Sequence, residues 1–362
     1  MEPRRRRSEG LERKRNGGTH DLPKGREAPN KNGEIKMSKR DLVLNVFDGK
    51  KEDKVPVGFW FHFAPDSFTN PSAETVKRNI EGHQKYFDEF QPDFLKLMSD
   101  GFFLYPNDSI KAIKTAADLN NVKASNPTEW IDGQVALVKE LTKRFKKDVV
   151  AFYNIFSVPF YLEIALQEYG TKLTLAQLAK ENPEGLKHAL SEMAKDISVL
   201  ITRVISEGGA DGIYLSVKNI QGALLSPAQY LDIVGTAEKE LLAAANAQSK
   251  YNILHICGYE GARNNLRVYQ DYDVKVVNFA SVVEGVSLTA GKEIFGGRTV
   301  IGGFGNTDKD VLFKGTKEEI VAETKRIISE NGKDGIVLGA DCTVPWTIDI
   351  DHLKWVREAA NS

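Results

Sequence analysis

Residues 226–257 read SPAQYLDIVGTAEKELLAAANAQSKYNILHIC, a helix-like stretch followed by a strand-like one. Ser226 is a side-chain cap, and Pro227 suits the first helical position, where an N–H has no intrahelical partner anyway. The helical pattern runs out near Gln248. YNILHIC (251–257) is short, apolar and without polar alternation, as expected for a parallel strand covered on both faces.

The same unit recurs on either side. Strand-like runs stand at 55–61 (VPVGFWF), 94–99 (FLKLMS), 149–154 (VVAFYN), 212–217 (GIYLSV), 274–280 (VKVVNFA), 299–304 (TVIGGF) and 335–340 (GIVLGA). Helical stretches fill the gaps. Thr316 with Glu319 forms a capping-box pattern, and that helix is expected to stop at Asn331-Gly332. Two strands are entered through the same dipeptide, Asp211-Gly212 and Asp334-Gly335, a faint internal repeat. Eight strand–helix units predict an α/β fold, a (β/α)8 TIM barrel, as a single domain over residues 37–362. A doubly wound open sheet is the alternative, but no glycine-rich phosphate turn follows the first strand.

The chain is 41% hydrophobic and 27% charged, with a formal charge of -1. That balance offers no electrostatic footprint for nucleic acid or an anionic membrane. No apolar run approaches the ~18 residues of a membrane span. Two cysteines in 362 residues cannot build a disulfide framework, so a reducing cytoplasm is the expected compartment. Residues 1–36 differ: eleven Lys/Arg and six Asp/Glu with almost no large apolar side chain predict a disordered basic tail. It reads as an added leader or an overextended start before Met37, rather than as a signal peptide.

In such a barrel the active site lies at the C-terminal ends of the strands. His62, Asp100, Tyr153, Asn154, Lys218, His255, Cys257 and Cys342 fall there. Residues i and i+2 of a strand share a face, so His255 and Cys257 present imidazole and thiol side by side. Cys342 adds a third soft donor from the last strand. A Cys2His set suits catalytic zinc, and the competing reading is that both cysteines pack as small hydrophobes. Asp100 is the candidate to orient substrate or take a proton, or else a turn residue before Gly101. His62, Tyr153, Asn154 and Lys218 are candidate substrate contacts. GGFGN (302–306) is a weak phosphate-loop echo that reads better as close backbone approach. His83, His188 and His352 sit in helical stretches and are expected to be inert.

PDFLKLMSDGFF (92–103), NIFSVPFYLEIALQEYG (154–170), EGGADGIYLSVKNIQGALLSPAQY (207–230), ILHICG (253–258) and VIGGFGNTDKDVLFKGTKEEI (300–320) resemble the uroporphyrinogen decarboxylase superfamily. H-x-C-G with a distant cysteine after the eighth strand is similar to its zinc-dependent methylcobamide:coenzyme M methyltransferase branch. The resemblance implies zinc on His255, Cys257 and Cys342, and transfer of a methyl group from a corrinoid to a zinc-activated thiol. Cobalamin-independent methionine synthase is similar in its metal logic and adds a glutamate, a place Glu284 would fill here. No D-x-H-x-x-G segment, the mark of a corrinoid-binding domain, occurs in the chain. A corrinoid would therefore arrive free or on a partner protein, and a homodimer is compatible with the family. The decarboxylase branch implies porphyrinogen-binding arginines near the first strand, and residues 55–77 contain none. A cofactor-free decarboxylase and a non-catalytic zinc-stabilised barrel are the competing functions.

Residues 1–36 have no apolar periodicity with which to dock on a core. A chain beginning at Met37 is expected to keep its melting temperature by differential scanning calorimetry. A drop of several degrees would show that the tail packs on the domain.

Overall fold

The computed structural model describes residues 37–219, 225–258 and 261–362, so the tail reading lies outside the described residues. Lys39–Ser362 forms one compact unit. Seven parallel strands make one sheet in sequential order: β1 (Phe94–Leu97), β2 (Val150–Phe156), β3 (Gly212–Val217), β4 (Ile253–Ile256), β5 (Val276–Phe279), β6 (Thr299–Phe304) and β7 (Ile336–Ala340). The order never reverses, which removes the doubly wound alternative. Helices follow the strands, as the periodicity requires.

The expected first strand, 55–61, is the point of difference. It is an extended segment with one parallel bridge, Val57 to Leu338 of β7. Gly58 N–H donates to Leu338 O at 3.0 Å and Leu338 N–H to Pro56 O at 2.9 Å. On the other side Asp93 N–H reaches Val57 O, but the Val57 N–H goes to the Asp93 carboxylate at 2.8 Å instead of to a strand. Pro56 has no N–H to offer. A proline and a side-chain acceptor thus replace two ladder bonds, and the segment touches both edges of the sheet without becoming a regular strand. Gly339 makes room for it. A Cβ there would stand 3.1 Å from Gly58 O and 2.9 Å from Ile301.

Strand side chains alternate between two apolar layers. Phe94, Val150, Phe152, Tyr214, Ile253, Val276, Ile301 and Val337 form the inner layer, joined by Trp60 and by Leu42, Val43, Val46 and Phe47 of the helix Lys39–Phe47. That helix closes the N-terminal end of the sheet. Arg40 pairs with Asp211 at 2.6 Å and donates to Val149 O, and Thr299 Oγ1 donates to Val46 O. Each fully buried aliphatic or aromatic side chain contributes about 1.5–3 kcal/mol. With that end sealed, only the C-terminal ends of the strands are left for chemistry.

The capping patterns are present in both places. Ser226 and Gln229 form a box at the start of Pro227–Tyr230, and Thr316 and Glu319 form one before Lys317–Asn331, which stops at Gly332 with φ 71°. The first of these helices is not uniform. Leu231–Gly235 winds as a π turn before the α-helix Thr236–Asn246 resumes. In β6, Gly303 has φ +111°, a conformation that needs glycine, and its N–H binds Ser281 Oγ. The GGFGN run is therefore a backbone device of the sheet.

Just past the π turn lies a buried carboxylate. Glu238 accepts from Tyr230 Oη at 3.0 Å and Tyr272 Oη at 2.6 Å. Burial pushes its carboxyl from 4.5 up to about 7, against those two hydrogen bonds. The folded chain therefore prefers the protonated form. The cost of ionisation is absent below the ordinary carboxyl pKa and accumulates as pH rises to about 7, reaching roughly 3 kcal/mol. Glu238→Gln should leave stability at pH 5 nearly unchanged and raise it at pH 8, as read by urea denaturation at both values. Equal shifts at the two pH values would remove this assignment.

Candidate metal centre

His255 is the last residue but one of β4, and Cys257 directly follows the strand, its N–H continuing the ladder to Val217 O at 2.8 Å. Cys342 stands two residues beyond β7, after Asp341, whose N–H binds Phe304 O. Asp341 itself caps the short helix Ser281–Glu284, accepting from Val282 and Val283 N–H and from Ser281 Oγ. Burial pushes its carboxyl up to about 7 against those bonds. The loop carrying Cys342 is tied down twice more, by Val344 N–H on Trp60 O and by Asn306 Nδ2 on Thr343 O.

The donor atoms of His255, Cys257 and Cys342 lie within 4.8 Å of one another. Cys257 Sγ is 3.7 Å from Cys342 Sγ, and Cys342 Sγ is 3.6 Å from His255 Nε2. Tetrahedral zinc, at about 2.3 Å from sulfur and 2.0–2.1 Å from nitrogen, separates two sulfurs by about 3.8 Å and sulfur from nitrogen by about 3.6 Å. The donor types and two of the three separations fit the ion. No other Cys, His, Asp or Glu joins the set among the described residues.

The imidazole is held in the form a metal requires. Asn278 Nδ2 donates to Ile301 O at 2.9 Å and Ala340 O at 3.4 Å, so its Oδ1 must face His255. That oxygen can only accept, which puts the proton on His255 Nδ1 and leaves the lone pair on Nε2, toward Cys342. His255 is buried, whereas both cysteines are partly accessible. The hydrogen-bonded Cys257 thiol holds the Cys342 thiol well below the usual range. Burial opposes that shift, and His255 and the Lys96 ammonium reinforce it. Cys342 is thus ready to bind as a thiolate.

A polar belt continues around the interior. Asn154 Nδ2 donates to Ser99 Oγ at 3.0 Å, Ser216 Oγ donates to Asn154 Oδ1 at 3.4 Å, and Ser216 stands level with His255 across the ladder. Tyr153 is not in it. The strand period turns its side chain outward, where Oη donates to Gln134 of the helix Thr128–Phe145. Lys218 is at the mouth, 3.6 Å from Glu163. Glu284 does not join the metal set. Its Oε1 accepts from both nitrogens of Asn264, whose Nδ2 also holds Cys257 O. Asp100 is fully engaged: Oδ1 meets His62 Nδ1 at 2.7 Å, and Oδ2 accepts from Phe63 and Ala64 N–H. Burial raises its pKa, but the His62 contact and the two backbone bonds bring the net shift below the usual value. The three helical histidines are satisfied by backbone: His83 by Asn79 O and Met98 N–H, His188 by Val122 O, and His352 by Leu312 O.

Sequence reasoning missed two residues, Asn278 and Lys96. Lys96 is the sole charged residue in the seven strands and is 5% exposed. Burial pushes its ammonium down to about 8, with Cys342, Cys257 and Asp100 pulling it back up. Each stands as a polar letter inside an apolar run, FLKLMS and VKVVNFA, and that interruption was the available signal.

A parallel α/β sheet with a Cys2His donor set at the C-terminal ends of its strands defines a TIM-barrel-like protein with a metal-type site. The uroporphyrinogen decarboxylase (URO-D) family model matches residues 107–362, and the chain belongs to that family. A methyltransferase from Methanosarcina mazei shares the fold, with TM-score 0.65 and 16% identity over 90% of this chain and 98% of that one. A putative vitamin-B12 independent methionine synthase from Listeria monocytogenes aligns at TM-score 0.49 and 14% identity, over 80% of this chain and 86% of that one. No curated protein matches the sequence. No helix among the described residues is long and apolar enough to cross a membrane.

Asn278→Ala removes the acceptor that orients His255 without touching a donor atom. Zinc affinity should fall about 10–100-fold in a chelator competition, with the circular dichroism spectrum unchanged. Unaltered affinity would mean that His255 is held by packing alone.

Proposed function

We propose that the protein is a zinc-dependent methyltransferase that moves a methyl group from a corrinoid to a thiol. The observation that carries this reading is the Cys2His set, in which the Cys257–Cys342 and Cys342–His255 separations of 3.7 and 3.6 Å match edges of a zinc-centred tetrahedron and all three donors lie within 4.8 Å. His255, Cys257 and Cys342 would hold the ion. Zinc bound there would keep an acceptor thiol of ordinary pKa ~8.5 in its nucleophilic thiolate form at neutral pH.

The chain's own residues have separable tasks in this reading. Asn278 keeps the His255 lone pair on Nε2. Asp100 has no free oxygen, so it acts by positioning His62, the member of that pair with solvent access (24% against 0%). Asn154 and Ser216 line the interior beside the metal set, and Lys218 with Glu163 stands at its mouth. The M. mazei protein of the same fold is a methyltransferase, which agrees with this assignment. A corrinoid would come from solution or on a partner protein, and two copies of the chain could pair.

Porphyrinogen decarboxylation is the less favoured reading. It needs cations for many carboxylates and an acid able to meet substrate. Arg78, the first arginine after the 55–77 stretch, is taken by Asp66 at 2.8 Å, and Asp100 is taken by His62 and two backbone amides.

Purified wild type should carry about one zinc per chain by atomic emission after zinc loading. Cys257→Ser and Cys342→Ser should each lose most of it, since a three-donor site has no spare ligand. The loaded protein should demethylate methylcobalamin with one member of a thiol panel. A metal-free wild type, or serine variants with full occupancy, would return the cysteines to packing. Zinc without demethylation would leave a metal-stabilised barrel of another function.

A further inference from the structure

Lys96 has a charge that the fold does not neutralise. Among the described residues its ammonium has no carboxylate within ion-pair distance and makes no hydrogen bond. It lies 4.4 Å from the ring centre of Tyr214 and 5.3 Å from that of Trp60. Both rings also pack on His255, at 6.0 Å and 6.2 Å between centroids. The polar atoms of these rings, Tyr214 Oη and Trp60 Nε1, are buried without partners. The rings are thus turned to offer their faces to the cation, and their own hydrogen bonds are forgone. A buried, unpaired ammonium is costly unless a negative charge stands nearby.

The charge count at the metal centre supplies that partner. Two thiolates and a neutral imidazole balance a divalent ion only while the remaining ligand is neutral. An anionic sulfur ligand leaves one negative charge beside Lys96, whereas water or an amine leaves none. Cys257 and Cys342 are already coupled electrostatically to the ammonium.

We propose that Lys96 is a specificity-determining residue of the metal centre, selecting an anionic sulfur ligand over a neutral one at the position the protein leaves open. This rests on the zinc reading above. The acceptor thiol gives its proton to solvent as it binds, and the fixed ammonium offsets the charge left on sulfur. No contact between Lys96 and the ligand is required, because a low-dielectric interior screens the interaction weakly. The cation–π contacts fix the ammonium in place, so the preference is built in before the ligand arrives.

Cobalt(II)-loaded protein provides a readout independent of turnover, since the visible spectrum changes as the open position is filled. Wild type, Lys96→Met and Lys96→Arg are titrated with 2-mercaptoethanol and, separately, with imidazole. Lys96→Met should bind cobalt at the wild-type ratio, weaken 2-mercaptoethanol by roughly tenfold or more, and leave imidazole within about twofold. Lys96→Arg should retain most of the preference for the thiol. Equal loss for both ligands would make Lys96 a packing residue, and equal affinity for both in Lys96→Met and wild type would overturn the proposal. If Lys96→Met fails to fold, Lys96→Gln carries the same comparison. A wild type that binds no metal overturns the centre and this inference together, whereas a metal-binding Lys96→Met that keeps the thiol preference overturns this inference alone.

Discussion

The amide of Asn278 ties the site together. Its two N–H groups are committed to carbonyls of β6 and β7, and its oxygen to the imidazole of β4. Three strands that are far apart in sequence are thereby locked in relative height. The two cysteines come from opposite sides of this bridge, so their separation is only as definite as the bridge itself. A single buried amide can do this because both its N–H groups and its oxygen are engaged, so a flipped orientation would lose all three bonds.

Around that bridge the interior is graded. The N-terminal end is apolar and closed by the helix Lys39–Phe47, with Phe94, Val150, Phe152 and Ile253 above it. Lys96 and the rings of Trp60 and Tyr214 follow. The belt of Ser99, Asn154 and Ser216 then stands level with the candidate metal donors. Within the seven strands, the one Lys, Arg, Asp or Glu stands beside those donors. In a sheet whose strands carry a single ionisable cation, that cation lies against the rings that flank His255. This gradient accounts for the opposite fates of similar residues. Asp100, Asp341 and Glu284 are carboxylates at or near strand ends, yet each is used to hold backbone or a neighbouring side chain rather than an ion.

Family membership and chemistry are separate conclusions here. The URO-D match and the M. mazei likeness concern a fold and its descent. The chemistry depends on which donors stand at the rim, where residues 55–77 supply no arginine and Arg78 is paired with Asp66. The parallel sheet tolerates such exchange because its strands are held by backbone ladders, leaving rim side chains free to differ.

The sequence by itself determined the features whose causes are local. Apolar runs without alternation marked seven strands, capping pairs at Ser226 and Thr316 marked helix starts, and the period of two put His255 beside Cys257. Tyr153 and Asn154 were both expected at the site, but as strand neighbours they point to opposite faces, and the period alone does not say which one faces inward. Only the tertiary structure decided that. The inner face belongs to whichever set of side chains meets on the concave side of the curled sheet, and Tyr153 finds Gln134 on the other side. The same holds for 55–61, where Asp93 captures the Val57 N–H and a strand becomes a bridged segment. Glu284 went to Asn264, and Asn278 and Lys96 gained their roles, through neighbours distant in the chain. Hydrogen-bond partners at that separation are chosen by the packing of whole strands, and no short window of sequence contains them.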